Sequence, residues 1–378
     1  MTVYLDHNAT TPLNPQVLEA MMPYMTILYG NPSSVHRFGR LMRDALEQAR
    51  TQVSNLVGAQ PKEIIFTSGG TEANNLALRG GLGNRPTSRF AISAIEHASV
   101  MAPAKHMEKQ GWSLDIIPVN EQGVVTNELL YANISDATQL VSIMAANNET
   151  GVLQNVSRLF EHIKTVNLDM LIHSDACQIA GKMPLDFAAL KLDLMSLSSH
   201  KIYGPLGAGA LVVKSHVDLI PLIDGGGQEQ KKRSGTENIL AIIGFGAAAE
   251  IAANEMNQRK QHVTKLQSQL IEQLSDMQDV VVFSHDVPRL PNTVLFSILG
   301  IDGEMLLMQL DRKGFAVSSG SACNSENKQP SHILLAMSVE PNIAQGAIRV
   351  SFGEQNSPDN VNQLIDALQE IKQQFNVR

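Results

Sequence analysis

The sequence predicts an α/β protein in which a mostly parallel sheet, covered by helices on both faces, is followed by a smaller α+β domain. Between about residues 60 and 215, short aliphatic or β-branched runs alternate with helical patterns, which is typical of a parallel sheet. After Gly235 the pattern changes to one long helical stretch. A chain of 378 residues is also too long for one small core. We therefore predict a large domain over residues 14–255 and a small domain built from residues 1–13 and 256–378.

The elements of the large domain follow from local patterns. Asn14 before Pro15 is an N-cap and first-turn pair that starts a helix. Periodic apolar positions between residues 156 and 163 predict another helix. Seven aliphatic runs are predicted as the seven strands of the main sheet: residues 63–67, 89–94, 114–119, 140–145, 170–173, 193–197 and 210–213.

The second half of the chain reads differently. A long helix is predicted over residues 238–274, and a shorter one over residues 303–312. The last helix begins at Ser357 and Pro358, which form an N-cap and first-turn pair. Four runs are predicted as strands of the small domain: residues 280–283, 292–298, 315–318 and 347–352.

Composition excludes several classes of function. The net charge of −8 gives no reason to expect a nucleic-acid or membrane surface, which would need a basic patch. The N-terminus has no apolar signal region, and the apolar run 239–253 is interrupted and too short to span a membrane. Two cysteines form no disulfide framework, and no Cys/His cluster offers a metal site. We expect a cytoplasmic enzyme or binding protein without a metal.

Residues 318–330 (SSGSACNSENKQP) place Cys323 among small and polar residues. A structural cysteine normally has apolar neighbours, so this setting predicts an exposed, mobile and reactive thiol. A polar segment that merely contains a cysteine is the alternative.

Residues 68–71 (SGGT) follow a predicted strand and begin a helix. The first N–H groups of a helix have no partners, and glycine lets an anion approach the backbone. Gly70 and Thr71 are therefore candidates for a phosphate site. Residues 244–249 (GFGAAA) match a loose dinucleotide pattern, but they lie inside a helical run and predict close helix packing instead.

Two polar stretches follow buried strands, where parallel sheets bind their ligands. Asp175 lies in HSDACQ, and Lys201 lies in SSHK. An N-cap and a solvated surface lysine are the ordinary alternatives. Pyridoxal phosphate needs a lysine that bonds to it, an acid that keeps its ring nitrogen protonated, and a phosphate site. The chain supplies these three candidates in the order phosphate site, acid, lysine.

The chain resembles cysteine desulfurases of the NifS/IscS-like type, which belong to the class V aminotransferases among fold-type I pyridoxal phosphate enzymes. The resemblance covers nearly the whole chain. It rests on eight ordered motifs: TSGGTEANN, EH at residues 96–97, NNETG, HSDACQ, SSHKIYGP, RSGTEN, SSGSAC and IRVSFG.

The resemblance implies a role for each matching residue. Lys201 would hold the cofactor covalently and later move the Cα proton of the substrate. Asp175 would pair with the ring nitrogen, Gln178 would bind the ring oxygen, and His97 would stack on the ring. The phosphate would be held by Gly70, Thr71, Ser198 and His200, with Thr236 from a second subunit of a homodimer.

For the substrate, the resemblance implies that Arg349 takes the carboxylate of L-cysteine and that Asn31 lines the pocket. Asn148 would lie near both the substrate and the ring oxygen of the cofactor. Cys323 would take the sulfur as a persulfide, leaving alanine. Cys177 stands where the family commonly has threonine, and we expect it to be a packing residue.

The expected sulfur acceptor is a protein such as an iron–sulfur scaffold, with tRNA thiolation as another destination. A selenocysteine lyase, or another pyridoxal phosphate lyase or transaminase in which Cys323 is incidental, is the first alternative. A cofactor-binding protein without turnover is the second, and a hydride-transfer enzyme rests only on GFGAAA.

Overall fold

The computed structural model describes residues 2–161, 163–319 and 330–375. The chain opens with a short strand and two helices: β1 (Val3–Tyr4), α1 (Pro15–Thr26) and α2 (Arg37–Leu56). The side chain of Asn14 caps α1 by accepting the N–H of Gln16, and Pro15 is the first helical residue. The sequence predicted this start because proline lacks the N–H that a first turn leaves unpaired.

The main sheet has seven strands, as predicted. In chain order they are β2 (Ile64–Thr67), β3 (Arg89–Ser93), β4 (Ser113–Ile117), β5 (Thr138–Ser142), β6 (Leu171–Asp175), β7 (Leu194–Ser198) and β8 (Gly209–Val213). Their spatial order is β2-β8-β7-β6-β5-β3-β4, and only β8 runs antiparallel to its neighbours. The prediction of a mostly parallel sheet is confirmed.

Helices cover both faces of this sheet. In β2, Ile64 and Phe66 face a core that includes residues of α1 and α2, whereas Ile65 faces a second core. The second core is built with α3 (Gly70–Asn75), the π-helical turn Leu76–Gly80 and α4 (Ala98–Lys109). Three short helices complete this part: α5 (Asn127–Ala132), α6 (Val156–Phe160) and α7 (Ile163–Val166). The one helix predicted around residues 156–163 is therefore two short ones.

The long helix α8 (Ile239–Ser275) joins two cores. Its first half contributes Phe245 to the core of the main sheet, and its second half contributes Leu270 to a separate core. A Cβ on Gly244 would lie 2.6 Å from the sulfur of Met21, and one on Gly246 would lie 2.6 Å from Cα of Ala49. The glycines of GFGAAA thus permit close helix packing, as predicted.

By length and composition alone, α8 could cross a membrane, although half of its most apolar 18-residue stretch is buried inside the fold. The sequence run judged too short for a span is part of this longer helix. Its packing against α1 and α2 is that of a core helix.

A third core, to which the second half of α8 belongs, lies around a four-stranded antiparallel sheet. The remaining elements are β9 (Val280–Val282), β10 (Thr293–Ile298), α9 (Gly303–Arg312), β11 (Phe315–Ala316), β12 (Ser318–Ser319), α10 (His332–Ala336), α11 (Pro341–Gln345), β13 (Ala347–Ser351) and α12 (Pro358–Gln374). The sheet order is β12-β13-β10-β9, while β11 pairs with β1 in a separate parallel ribbon. The domain boundary after residue 255 falls inside α8 and stays a prediction.

Candidate active site

The largest group of predicted site residues lines one cavity of about 360 Å³. Asp175 ends β6 and Ser198 ends β7, so both lie at the carboxyl edge of the main sheet. Arg349 on β13 and Ser318 on β12 close the cavity from the smaller sheet. The predicted rule that ligands bind at the carboxyl ends of parallel strands therefore locates this site.

Lys201 ends the 3-10 turn that directly follows β7. Its Nζ donates hydrogen bonds to the backbone oxygens of Asn8 and Ala9, the latter at 2.7 Å. Burial, with help from the nearby Arg349 guanidinium, lowers the pKa of Lys201 to about 8. A lysine in this state has a neutral, nucleophilic fraction near neutral pH.

The carboxylate of Asp175 is held from both sides. Oδ2 accepts the side-chain amide of Asn74 at 2.7 Å, and Oδ1 accepts the backbone N–H of Cys177 at 2.9 Å. These two donors fix the orientation of the carboxyl group. Asp175 can therefore face a cationic group in the cavity.

His97 belongs to the same network. Its Nδ1 accepts the backbone N–H of Ser99 at 3.1 Å and lies 2.8 Å from the Ser99 hydroxyl, which in turn accepts from Asn74 at 2.8 Å. Because Nδ1 is an acceptor, the proton of the neutral ring lies on Nε2. Burial lowers the pKa of His97, and this lowering exceeds the opposite effect of Asp175.

The predicted phosphate site lies where β7 ends and α3 begins. Gly70 and Thr71 open α3, and the hydroxyl of Ser198 is buried without a hydrogen-bond partner among the described residues. Burial and the charge of Lys201 lower the pKa of His200 to about 4, so its ring is neutral. A Cβ on Gly70 would lie 2.6 Å from the sulfur of Cys177.

These features fit pyridoxal phosphate. The unpaired hydroxyl of Ser198 and the first N–H groups of α3 suit a phosphate, Asp175 suits a protonated ring nitrogen, and Lys201 suits the aldehyde carbon. Cys177 itself is buried, and burial raises its pKa well above the ordinary value, which agrees with a packing role.

Arg349 contacts Asn148 at the side of the cavity that the smaller sheet closes. The Arg349 guanidinium donates to Oδ1 of Asp6 at 2.6 Å and to the backbone oxygen of Asn148 at 2.9 Å. Its Nε and the side-chain oxygen of Asn148 are buried without partners among the described residues. Nε is therefore available to a carboxylate, and binding of the substrate by Arg349 stays a prediction.

Gln178 lines the cavity with its amide fixed by two contacts. Its nitrogen donates to the backbone oxygen of Asn8 at 3.0 Å, and its oxygen accepts from Nζ of Lys182 at 3.1 Å. Gln178 therefore lines the cavity, and its contact with the ring oxygen of the cofactor stays a prediction.

Three predicted residues do not join the cavity within the described chain. Asn31 is exposed and lies outside it, because its side-chain oxygen turns back to accept the N–H of Ser33 at 2.9 Å. The prediction for Asn31 is thus not met within one chain. Thr236 is also exposed and was expected to act in a second subunit, so its role stays a prediction. Cys323 lies outside the described residues.

Sequence reasoning missed several residues that line the cavity, and five of them carry polar groups next to predicted residues or to Lys201. Asn74 and Ser99 follow predicted residues by one helical turn or less, which was the available signal. Glu149 follows Asn148 directly; burial raises its pKa to about 7, and its carboxyl accepts a hydrogen bond from Ser331. The other two are Asp6 and Asn8, for which the sequence offers no local signal.

The fold and the lysine, acid and phosphate-site arrangement define the class of protein. The family model for class-V aminotransferases matches residues 3–364, and the chain belongs to that family. Its enzymes use pyridoxal phosphate.

Within that family the chain groups with the cysteine desulfurases. It is 41% identical over 372 residues to a cysteine desulfurase IscS of Dictyoglomus turgidum, covering 98% of this chain and 94% of the relative. A solved NifS-like protein superposes with a TM-score of 0.92 at 37% identity, covering 98% of this chain and 99% of that one. Another, described as SspA in complex with cysteine, has a TM-score of 0.83 at 30% identity, covering 93% and 99%.

Proposed function

We propose that this protein binds pyridoxal 5′-phosphate in the described cavity and removes sulfur from L-cysteine, releasing L-alanine. The observation that carries the proposal is the convergence of Lys201, Asp175 and Arg349 on one cavity with an unpaired hydroxyl at its phosphate side. The relatives named as cysteine desulfurases, and the similar structure described with cysteine, support the choice of substrate.

The cofactor, when bound, supplies an electron-accepting ring that stabilises the negative charge left when the Cα–H bond breaks. Asp175 keeps a proton on the ring nitrogen, which this stabilisation requires. Lys201 would hold the aldehyde carbon and, once released from it, would carry the Cα proton of the substrate on Nζ; its pKa of about 8 suits both tasks near neutral pH. His97 offers an Nε2–H toward the cavity.

Substrate position follows from Arg349. Its buried Nε has no partner among the described residues, and Asp6 and the Asn148 carbonyl hold the rest of the guanidinium in place. A carboxylate bound through Nε and a neighbouring N–H gains two charge-assisted hydrogen bonds. This anchors the amino acid with its Cα near Lys201.

Sulfur transfer is assigned to Cys323, which lies outside the described residues. Its thiolate attacks the sulfur of the bound cysteine; the Cβ–S bond breaks, a new S–S bond forms, and protonation of the remaining three-carbon fragment yields alanine. The net change converts L-cysteine and the Cys323 thiol into L-alanine and a persulfide, so no external oxidant is needed.

We further propose a cytoplasmic homodimer that donates the sulfur to a protein acceptor, with an iron–sulfur scaffold as the leading candidate. Leu18, Met22 and Met25 lie on one face of α1 and are 43%, 47% and 55% exposed, and Phe38 on α2 is 45% exposed. Large exposed apolar side chains grouped in this way are typical of an interface. A second subunit in the family also contributes the residue that corresponds to Thr236.

The test compares the parent with Cys323→Ala. The purified proteins are examined by visible absorption, and sulfide and alanine released from L-cysteine are measured with a reductant present. We expect the parent to be yellow and to form both products in equal amounts, and the variant to stay yellow but inactive. Full turnover by the variant would remove Cys323 as acceptor and favour a lyase or transaminase. A colourless parent would refute cofactor binding.

The dimer has its own test. Met22→Glu with Met25→Glu introduces two charges on the apolar face of α1. Sedimentation equilibrium is expected to give a dimer for the parent and a lower mass for this variant. A monomeric parent contradicts the proposed assembly and the role of Thr236 together.

A further inference from the structure

Lys182 is a lysine beside the cavity that the proposed reaction does not use. It follows Gln178 by four residues in the turn after β6. Its Nζ donates to the side-chain oxygen of Asn8 at 3.0 Å and to the side-chain oxygen of Gln178 at 3.1 Å. Within the described part of the chain it makes no ion pair with a carboxylate.

These contacts fix the orientation of the Gln178 amide. Its nitrogen faces the backbone oxygen of Asn8 at 3.0 Å, and a carbonyl oxygen can only accept. Its oxygen faces Nζ of Lys182, which donates to it. One partner accepts a hydrogen bond and the other donates one, so both contacts require the same orientation of the amide. The second amide N–H of Gln178 is left for a group in the cavity.

The same residues also hold Lys201. The backbone oxygen of Asn8 that binds Gln178 also accepts from Nζ of Lys201. The side chain of Asn8, which Lys182 contacts, is further held by Asn292 at 3.1 Å. Lys182 is thus linked to both the cofactor-facing amide and the support of the catalytic lysine.

We infer that Lys182 is a positioning residue: it holds the amide of Gln178 so that its free N–H faces the ring oxygen of the bound cofactor. This inference rests on the proposed function, because it concerns how the cofactor is held. Without Lys182, the Gln178 oxygen loses its donor and the amide is free to rotate away from the cavity.

The ionisation states of Lys182 and its neighbours distinguish positioning of the Gln178 amide from a direct effect of the charge of Lys182. Burial and the neighbouring cations Lys201 and Arg349 lower the pKa of Lys182 to about 7, so its amine is largely neutral at pH 8 and still donates two hydrogen bonds. Burial lowers the pKa of His7 to about 4, which leaves its ring neutral. The small cavity behind Lys182 is also lined by Arg259, Lys260 and Glu354.

The test is a pH titration of the visible absorbance of the holoenzyme. An N–H donated to the ring oxygen favours the deprotonated form of the lysine-bound cofactor, so losing it raises the titration midpoint. A hydrogen bond to a charged group is worth about 1.5–3 kcal/mol, so we expect Lys182→Met to raise the midpoint by roughly one pH unit or more. Lys260→Met is the matched control, a lysine of the same small cavity without a contact to Gln178, and is expected to leave the midpoint unchanged.

A double-mutant cycle decides the mechanism. Gln178→Ala is expected to raise the midpoint by a similar amount, and adding Lys182→Met to it should change little. Lys182→Arg, which keeps donors, should restore most of the parent midpoint. If Lys182→Met does not fold, Lys182→Ala enters the same cycle.

Two outcomes overturn the inference. An equal shift with and without Gln178 means that Lys182 acts directly through its charge, and no shift in either background means that it does not position the amide. Both differ from failure of the proposed function, in which the parent itself shows no visible band or releases no sulfide from L-cysteine.

Discussion

A buried ion pair beside β2 gives the sharpest stability prediction. Glu229 accepts from the guanidinium of Arg50 at 2.8 and 2.9 Å and from the backbone N–H of Phe66 in β2 at 2.7 Å. The two side chains are only 1% and 7% exposed. Glu229→Ala leaves Arg50 with only the exposed Glu47 as its ionic partner and leaves the buried N–H of Phe66 unpaired, which should lower the free energy of unfolding by about 3–5 kcal/mol.

Glu47 provides a matched control because it contacts the same guanidinium. Its oxygen lies 3.1 Å from Nε of Arg50, but its side chain is 55% exposed. Exposed pairs contribute about 0–1 kcal/mol, so Glu47→Ala should change stability by no more than that. Arg50→Met combined with Glu229→Met should cost less than Glu229→Ala alone, because no buried charge is then left without a partner.

Urea unfolding at one fixed protein concentration measures these changes. The chain has a single tryptophan, Trp112, which packs edge-on against Phe90 at a ring distance of 6.0 Å and reports loss of the main sheet. A cost for Glu229→Ala within 1 kcal/mol of that for Glu47→Ala would refute the reasoning.

Three further predictions concern the cavity. Ser198→Ala removes the unpaired buried hydroxyl and should weaken cofactor binding roughly tenfold in an equilibrium titration, whereas Ser199→Ala removes a buried hydroxyl that does not line the cavity and should not. Gly70→Ala brings a Cβ to 2.6 Å from the sulfur of Cys177 and should abolish cofactor binding; Cys177→Ala in the same chain should restore part of it, and no rescue would mean that the sulfur is not the obstacle. Burial raises the pKa of Glu149 from 4.5 to about 7, so the folded state holds its proton longer than the unfolded state. The parent should therefore lose about 3 kcal/mol relative to Glu149→Gln as pH rises from 4.5 to 7 and nothing more above it, and a pH-independent difference in unfolding free energy contradicts this.

The strands were predictable where their signal is local. Each strand of the main sheet is a short aliphatic run followed by a polar turn, and helix α9 begins and ends where its pattern does, at Gly303–Arg312. The predicted strand 315–318 shows the limit of this reasoning. It is two strands separated by Val317, of which β11 pairs with β1 and β12 pairs with β13. Local propensity favours extended backbone but does not choose its partner.

The site residues also divide into those with a local signal in the sequence and those without one. Gly70, Asp175 and Lys201 were predicted because each lies at or soon after the end of a strand, and that position is readable from the sequence. Ser198 was predicted only from the resemblance. Asn8 gave no such signal, because it enters the cavity through contacts more than a hundred residues away along the chain.

The contacts of Asn8 explain why the position of Lys201 depends on both the main sheet and the smaller sheet. Its backbone N–H donates to the Ser351 hydroxyl at 2.9 Å and its side-chain nitrogen donates to the Thr293 hydroxyl at 2.8 Å, both from the smaller sheet. Its backbone oxygen accepts from Gln178 and Lys201, which follow strands of the main sheet. One short segment near the N-terminus therefore transmits the position of the smaller sheet to Lys201. Since a displacement of about 1 Å can cost a hundredfold in rate, the contacts of Asn8 are part of the catalytic geometry even though it carries no reactive group.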